Sequence, residues 1–219
     1  MVNERWVLTA AHCFELPKDH DASAQPPTIE VRLGRYDQSI IAEEHQVVTK
    51  IAEVIKHPDF NRDTFDNDLA LVKLEDHINF SDSVKPVCLG KLQNDTEEVF
   101  FKYQTLKMGH VTGWGQLKEH GPQPKFLQEL RMPIVSPTSC RASTQFKVTS
   151  NMFCAGYAQE IVGDACKGDS GGPFVAQHED RWYLLGVVSW GEGCGRSGKY
   201  GFYTKVNNYL EWIRAFIKL

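Results

Sequence analysis

The chain has 219 residues, 42% of them hydrophobic, and a formal net charge of −4. That length supports one large domain, or two small lobes sharing an interface, around a proper core. The small negative charge argues against a nucleic-acid partner, and no apolar run reaches the length of a membrane span.

The opening Met1-Val2-Asn3-Glu4-Arg5 is charged and the apolar stretch after it is short, unlike a signal peptide. Residues 14–27 are polar, contain three prolines and predict a long surface loop. Short apolar or alternating runs follow at 28–33, 51–56, 69–74, 127–134, 184–190 and 202–206, separated by Gly, Pro, Asn and Asp. Many short strands with turn signals between them predict an all-β barrel or sandwich. Only the C-terminus reads as a helix: Val206, Leu210, Ile213 and Ile217, with Tyr209 and Phe216 beside them, fall on one face that docks onto the domain. There is no Gly/Ser-rich linker and no internal repeat.

The six cysteines are Cys13, Cys88, Cys140, Cys154, Cys166 and Cys194. None of their spacings matches a zinc site, and an even, scattered set suggests disulfides and an oxidising compartment. Asn79-Phe80-Ser81 and Asn94-Asp95-Thr96 fit the N-glycosylation pattern of a secreted chain.

Three segments carry chemistry: Leu8-Thr9-Ala10-Ala11-His12-Cys13, Asp66-Asn67-Asp68-Leu69-Ala70-Leu71, and Gly163-Asp164-Ala165-Cys166-Lys167-Gly168-Asp169-Ser170-Gly171-Gly172-Pro173. Each alone reads as a packed histidine, a capping aspartate or a glycine-rich loop. Together, in the order His, Asp, Ser, they supply what a serine nucleophile needs. A hydroxyl is a weak nucleophile without a base in reach, an imidazole can take and return its proton, and a buried carboxylate fixes the tautomer.

With these segments, Val111-Thr112-Gly113-Trp114-Gly115, Asn151-Met152-Phe153-Cys154-Ala155-Gly156-Tyr157 and Ser189-Trp190-Gly191-Glu192-Gly193-Cys194, the chain resembles the chymotrypsin/trypsin-like serine peptidases from Trp6 to the C-terminal helix. The wording is closest to the clotting and complement proteases. The resemblance implies two six-stranded antiparallel β-barrels, the first incomplete here, a C-terminal α-helix, and one protease domain over residues 1–219. His12 would be general base and acid, Asp68 the orienting carboxylate and Ser170 the nucleophile, with the N–H groups of Gly168 and Ser170 forming the oxyanion hole. Asp164 would floor the primary pocket and select Arg, with Lys second because Ala165 lacks a hydroxyl. Gly191 and Gly201 would wall that pocket, within a cleft that Ser189 and Gly193 also line. Trp190 and Phe65 would line upstream sub-pockets, and Lys167 would favour acidic flanking residues.

By the same resemblance Cys140 pairs with Cys154 and Cys166 with Cys194. Cys13 and Cys88 are left unpaired, the latter expected to bond an upstream regulatory or light chain. Expected partners are protein substrates and serpin-type inhibitors, outside the cell, in a clotting or innate-immune cascade. No cofactor or metal is required. Tyr200 stands where sodium-activated relatives carry Tyr, and Arg35 where calcium-binding relatives carry Glu, so a cation would repel calcium there. The chain opens later than the family's domains, without an Ile-Val-Gly-Gly-like start. Asp169, which in the family pairs with the freed N-terminal ammonium, would then be unpaired and the chain as it stands inactive. The alternative is a non-catalytic homologue that binds proteins, against which the intact His12, Asp68 and Ser170 count.

Overall fold

The computed structural model describes residues 1–15, 29–90, 108–159 and 164–217; Asn94, Gly163 and the predicted loop from residue 16 onward lie outside them. The first sheet contains β1 (Trp6–Thr9), β2 (Glu30–Leu33), β3 (Val47–Lys56) and β4 (Ala70–Leu74), in the order β1-β4-β3-β2. The second contains β5 (Met108–Gly113), β6 (Gln128–Pro133), β7 (Met152–Ala155), β8 (Pro173–His178), β9 (Arg181–Gly191) and β10 (Gly201–Lys205), in the order β6-β5-β8-β9-β10-β7. All pairings between these strands are antiparallel, and each sheet curls into a half-barrel. Among the described residues there are two short α-helices, α1 (Pro137–Ala142) and α2 (Leu210–Phe216).

The apolar runs mark the buried middles of strands better than their ends. β4 and β10 are almost wholly buried and match the predicted runs closely. β9 starts earlier than its run because Arg181 opens a hairpin with His178, across a turn in which Glu179 and Asp180 take φ of 46° and 61°. The helical face at 206–217 is two elements, a 3₁₀ turn (Val206–Tyr209) leading into α2. Phe216, expected on the buried face, is exposed. α1 is not among the expected elements, since only the C-terminus reads as a helix; Ser136 caps it, its hydroxyl oxygen accepting the Ser139 N–H at 3.1 Å, with Pro137 in the first turn.

Three of the apolar clusters among the described residues hold the lobes. Val72, Leu74, Ile78 and Val84 fill the first half-barrel. Val111, Met132, Phe153, Phe174, Leu185 and Tyr203 fill the second. A third joins them: Leu8, Leu69 and Leu71 from the first lobe meet Leu184, Val187, Tyr209 and Ile213 from the second. The turn after β2 is built round Arg35, which donates to the Gln38 and Ile40 carbonyls at 2.9 and 3.1 Å and to Gln46 Oε1 at 3.4 Å. Opposite, Glu43 accepts the N–H groups of Tyr36 and Asp37 at 2.6 and 2.7 Å. The Tyr36 carbonyl then accepts the Leu127 N–H at 2.9 Å and Trp114 Nε1 at 3.1 Å, bringing this turn onto the second lobe.

Candidate active site

β1 is followed by Ala10 and Ala11, both fully buried, and Ala11 opens the 3₁₀ turn (Ala11–Phe14) that carries His12. Asp68 sits just ahead of β4 and is itself fully buried. Its Oδ1 accepts the His12 backbone N–H at 2.9 Å and its Oδ2 lies 2.7 Å from His12 Nδ1. Ser189 Oγ donates to the same Oδ2 at 2.5 Å, and Thr204 Oγ1 donates to the Asp68 carbonyl at 2.8 Å. These partners hold the Asp68 carboxyl in place and with it the orientation of the His12 ring. Burial opposes charge on His12, but the hydrogen bond it gives to Asp68, the nearby Cys13 thiol and the Asp68 charge outweigh it, so the imidazole titrates above its ordinary value. The second ring nitrogen, Nε2, lies 3.9 Å from Cys13 Sγ.

Ser170 comes from the turn before β8. The Asp169 N–H donates to the Cys166 carbonyl at 2.9 Å, the Gly172 N–H to the Asp169 carbonyl at 2.9 Å, and the Gly171 N–H to the Val188 carbonyl at 2.9 Å. Thr9 Oγ1, from the first lobe, donates to the Gly171 carbonyl at 3.2 Å. A methyl group on Gly171, where φ is +77°, would stand 2.3 Å from Thr9 Oγ1 and 3.0 Å from Cys13 Sγ, so the residues next to Ser170 and His12 touch across the lobe junction. Among the described residues, the N–H groups of Gly168 and Ser170 meet no protein acceptor. Ser170 is exposed and makes no hydrogen bond to His12.

Ser170 opens onto a cleft of about 370 Å³, lined by Ala165, Lys167, Ser189, Trp190, Gly191, Gly193 and Gly201 among others. The sequence-predicted pocket residues are thus brought together, with Asp164 set behind them. Its Oδ1 is buried and has no hydrogen-bond partner among the described residues, and a methyl on Gly201 would come within 3.1 Å of it. Oδ2 accepts the Gly195 N–H at 3.5 Å. Burial pushes this carboxyl up to about 6. A second cavity of about 160 Å³ lies on the other side, lined by Gly113, Gly115, Leu117, Gln128, Asp164 and Asp169. There Asp169 accepts the N–H groups of Gly115 and Cys166 at 2.8 and 2.9 Å.

Trp190 stacks on Phe202 with centroids 3.6 Å apart, and Phe65 meets the His12 ring edge-on at 5.6 Å. Sequence reasoning missed Phe146, which is exposed and meets Trp190 edge-on at 6.0 Å. Only its bulk in an otherwise polar loop could have flagged it. It also missed Glu119 and His120, which line the cleft. Glu119 is held by the Arg196 guanidinium, with Nε 2.8 Å from Oε2. Tyr200 packs beside the Cys140–Cys154 bridge and Phe202. Both expected disulfides form, Cys140–Cys154 and Cys166–Cys194, and Cys13 and Cys88 are free. Asn79 is exposed. The described residues contain no group of three or more His, Cys, Asp or Glu side chains able to hold a metal, and no helix long and apolar enough to cross a membrane.

The family model described as Trypsin matches residues 1–213, which takes in both half-barrels, all three chemistry-bearing segments and the first half of α2. Members of that family hydrolyse peptide bonds in protein substrates and need no cofactor. With its two curled antiparallel sheets meeting at a His–Asp pair and an exposed serine, this chain belongs to the trypsin family of serine peptidases.

Proposed function

We propose that the protein is a secreted endopeptidase that cleaves after Arg, with Lys second, through His12, Asp68 and Ser170. One observation carries the catalytic part: buried Asp68 grips His12 twice, beside the serine whose turn offers two unengaged N–H groups. Ser170 Oγ attacks the scissile carbonyl carbon and passes its proton to His12 Nε2, while the N–H groups of Gly168 and Ser170 receive the oxyanion. Collapse breaks the C–N bond, His12 gives its proton to the departing amine, and water repeats the sequence on the acyl-enzyme. Cleavage after Arg rests on Asp164, whose unpartnered Oδ1 behind Gly201 lacks only a cation. Phe65, Phe146 and Trp190 form an aromatic surface for residues upstream of the cleaved bond, and Lys167 attracts acidic flanking residues.

Asp169 and its cavity are read as the seat of an N-terminal ammonium freed by activation cleavage, which would orient Gly168. A clotting or innate-immune cascade, serpin-type inhibitors and a bond from Cys88 to a regulatory chain are the setting that the family wording suggests. The two disulfides support an extracellular site. The test is an organophosphonate label on the full-length, activated protein, followed by profiling on a peptide library. Ser170 should be modified and cleavage should follow Arg. Absence of label would favour a non-catalytic binding module, and a preference for Phe or Leu would refute the assigned specificity.

A further inference from the structure

Asp68 does not sit within a regular strand. It is the central residue of a three-residue turn, closed by the Leu69 N–H donating to the Asn67 carbonyl at 2.8 Å. Two residues shortly before it, Phe65 and Asn67, have φ of 55° and 56°. Left-handed backbone is tolerated by asparagine and unfavourable for phenylalanine, and it persists only where the surroundings over-determine it.

Those surroundings belong largely to the other lobe. Asn67 Oδ1 accepts the Tyr209 hydroxyl at 3.0 Å and Asn151 Nδ2 at 3.2 Å, while Asn67 Nδ2 donates to the Asp59 carbonyl at 2.9 Å. Beside it, Asp66 Oδ1 accepts Thr149 Oγ1 at 2.7 Å and Asn151 Nδ2 at 3.0 Å. Asn151 Oδ1 in turn accepts Asn208 Nδ2 at 3.0 Å. Asn151 leads into β7 and Tyr209 into α2, so every Asn67 side-chain bond except that to Asp59 crosses the lobe junction. His12 and Asp68 come from the first lobe and Ser170 from the second, so their alignment depends on how these lobes are held.

We propose that Asn67 is a positioning residue, which pins the Asp68 turn to Asn151 and Tyr209 of the second lobe and so sets the Asp68 carboxylate against His12. A solvated turn asparagine would need none of these partners. The proposal rests on Asp68 being the orienting carboxylate.

The experiment uses Asn67→Gly and Tyr209→Phe in the full-length, activated protein. Glycine keeps the left-handed backbone and deletes only the amide; phenylalanine deletes one hydroxyl. Two readouts are taken: kcat and KM on an Arg substrate, and the ¹H resonance of the His12 Nδ1–H proton. Asn67→Gly should lower kcat by about 10- to 100-fold with KM unchanged, as misplacement by ~1 Å does. The Nδ1–H resonance should shift or broaden. Tyr209→Phe should do the same to a smaller degree, and it decides the matter if the glycine variant does not fold. A folded variant with wild-type kcat and an unmoved resonance would overturn the proposal. If wild-type protein takes no organophosphonate label, the catalytic reading fails instead, and the resonance still reports whether Asn67 positions Asp68.

Discussion

At the scale of single residues, two titrating groups dominate. On the proposed specificity Asp164 must be anionic to bind Arg, and burial raises its carboxyl to about 6. KM for Arg substrates should therefore rise as pH falls through about 6, while substrates without a cation show no such limb; steady-state kinetics on matched peptides read this. The same carboxyl opposes folding. Between its ordinary 3.8 and about 6, the native state holds a proton that the unfolded chain releases, so stability falls as pH rises through that window. The whole shift corresponds to at most about 3 kcal/mol. Asp164→Asn should raise Tm at pH 8 and abolish Arg cleavage, as calorimetry beside kinetics would show. His12 is shifted in the same upward direction. Its raised imidazole is protonated near neutrality and cannot accept the Ser170 proton, so kcat/KM should climb with pH through a value above 6.5. Asp68→Asn should lower kcat by about 10⁴-fold, because the wrong ring nitrogen is then presented.

At the scale of elements, the ends of strands carry the site and their middles carry the fold. Gly115, two residues past β5, faces Asp169 so closely that a methyl there would stand 2.3 Å from Oδ2. Gly115→Ala should displace Asp169 and sharply lower kcat while the far-UV circular dichroism stays unchanged. A native-like kcat would show that Asp169 has room to move. Gly191, at the end of β9, differs, because its nearest neighbour to an added methyl is 3.5 Å away. Gly191→Ala should fold normally and raise KM for Arg by narrowing the cleft. The same division explains what was legible beforehand. The apolar interiors of β4 and β10 were visible as runs, since burial on both faces demands them. The first residues of β3 and β9 were not, because exposed strand ends are fixed by register with a partner rather than by their own hydrophobicity.

At the scale of the whole molecule, the candidate site was legible because its residues lie in three compact segments with distinctive wording. The Asp68 turn, the Arg196–Glu119 pair and Phe146 were not, because each gains meaning only from a partner some 40 or more positions away. The disulfides divide similarly. Cys166–Cys194 ties the turn bearing Ser170 to the loop that walls the cleft, whereas Cys140–Cys154 fastens α1 to β7. Replacing Cys166 and Cys194 by Ala should cost about 3 kcal/mol of stability in chemical denaturation and raise KM. The equivalent change at Cys140 and Cys154 should lower stability with KM preserved.

The Arg35 turn places a cation among carbonyl oxygens by means of the polypeptide itself. A tethered guanidinium has a fixed effective concentration, whatever the surrounding fluid contains. It can be neither diluted away nor chelated. The docking of this turn onto the second lobe should therefore be indifferent to ionic surroundings that would loosen a loop dependent on a dissociable ion. Proteolytic nicking between residues 36 and 46 should proceed at one rate in chelator and in millimolar calcium, and Arg35→Ala should accelerate it in both.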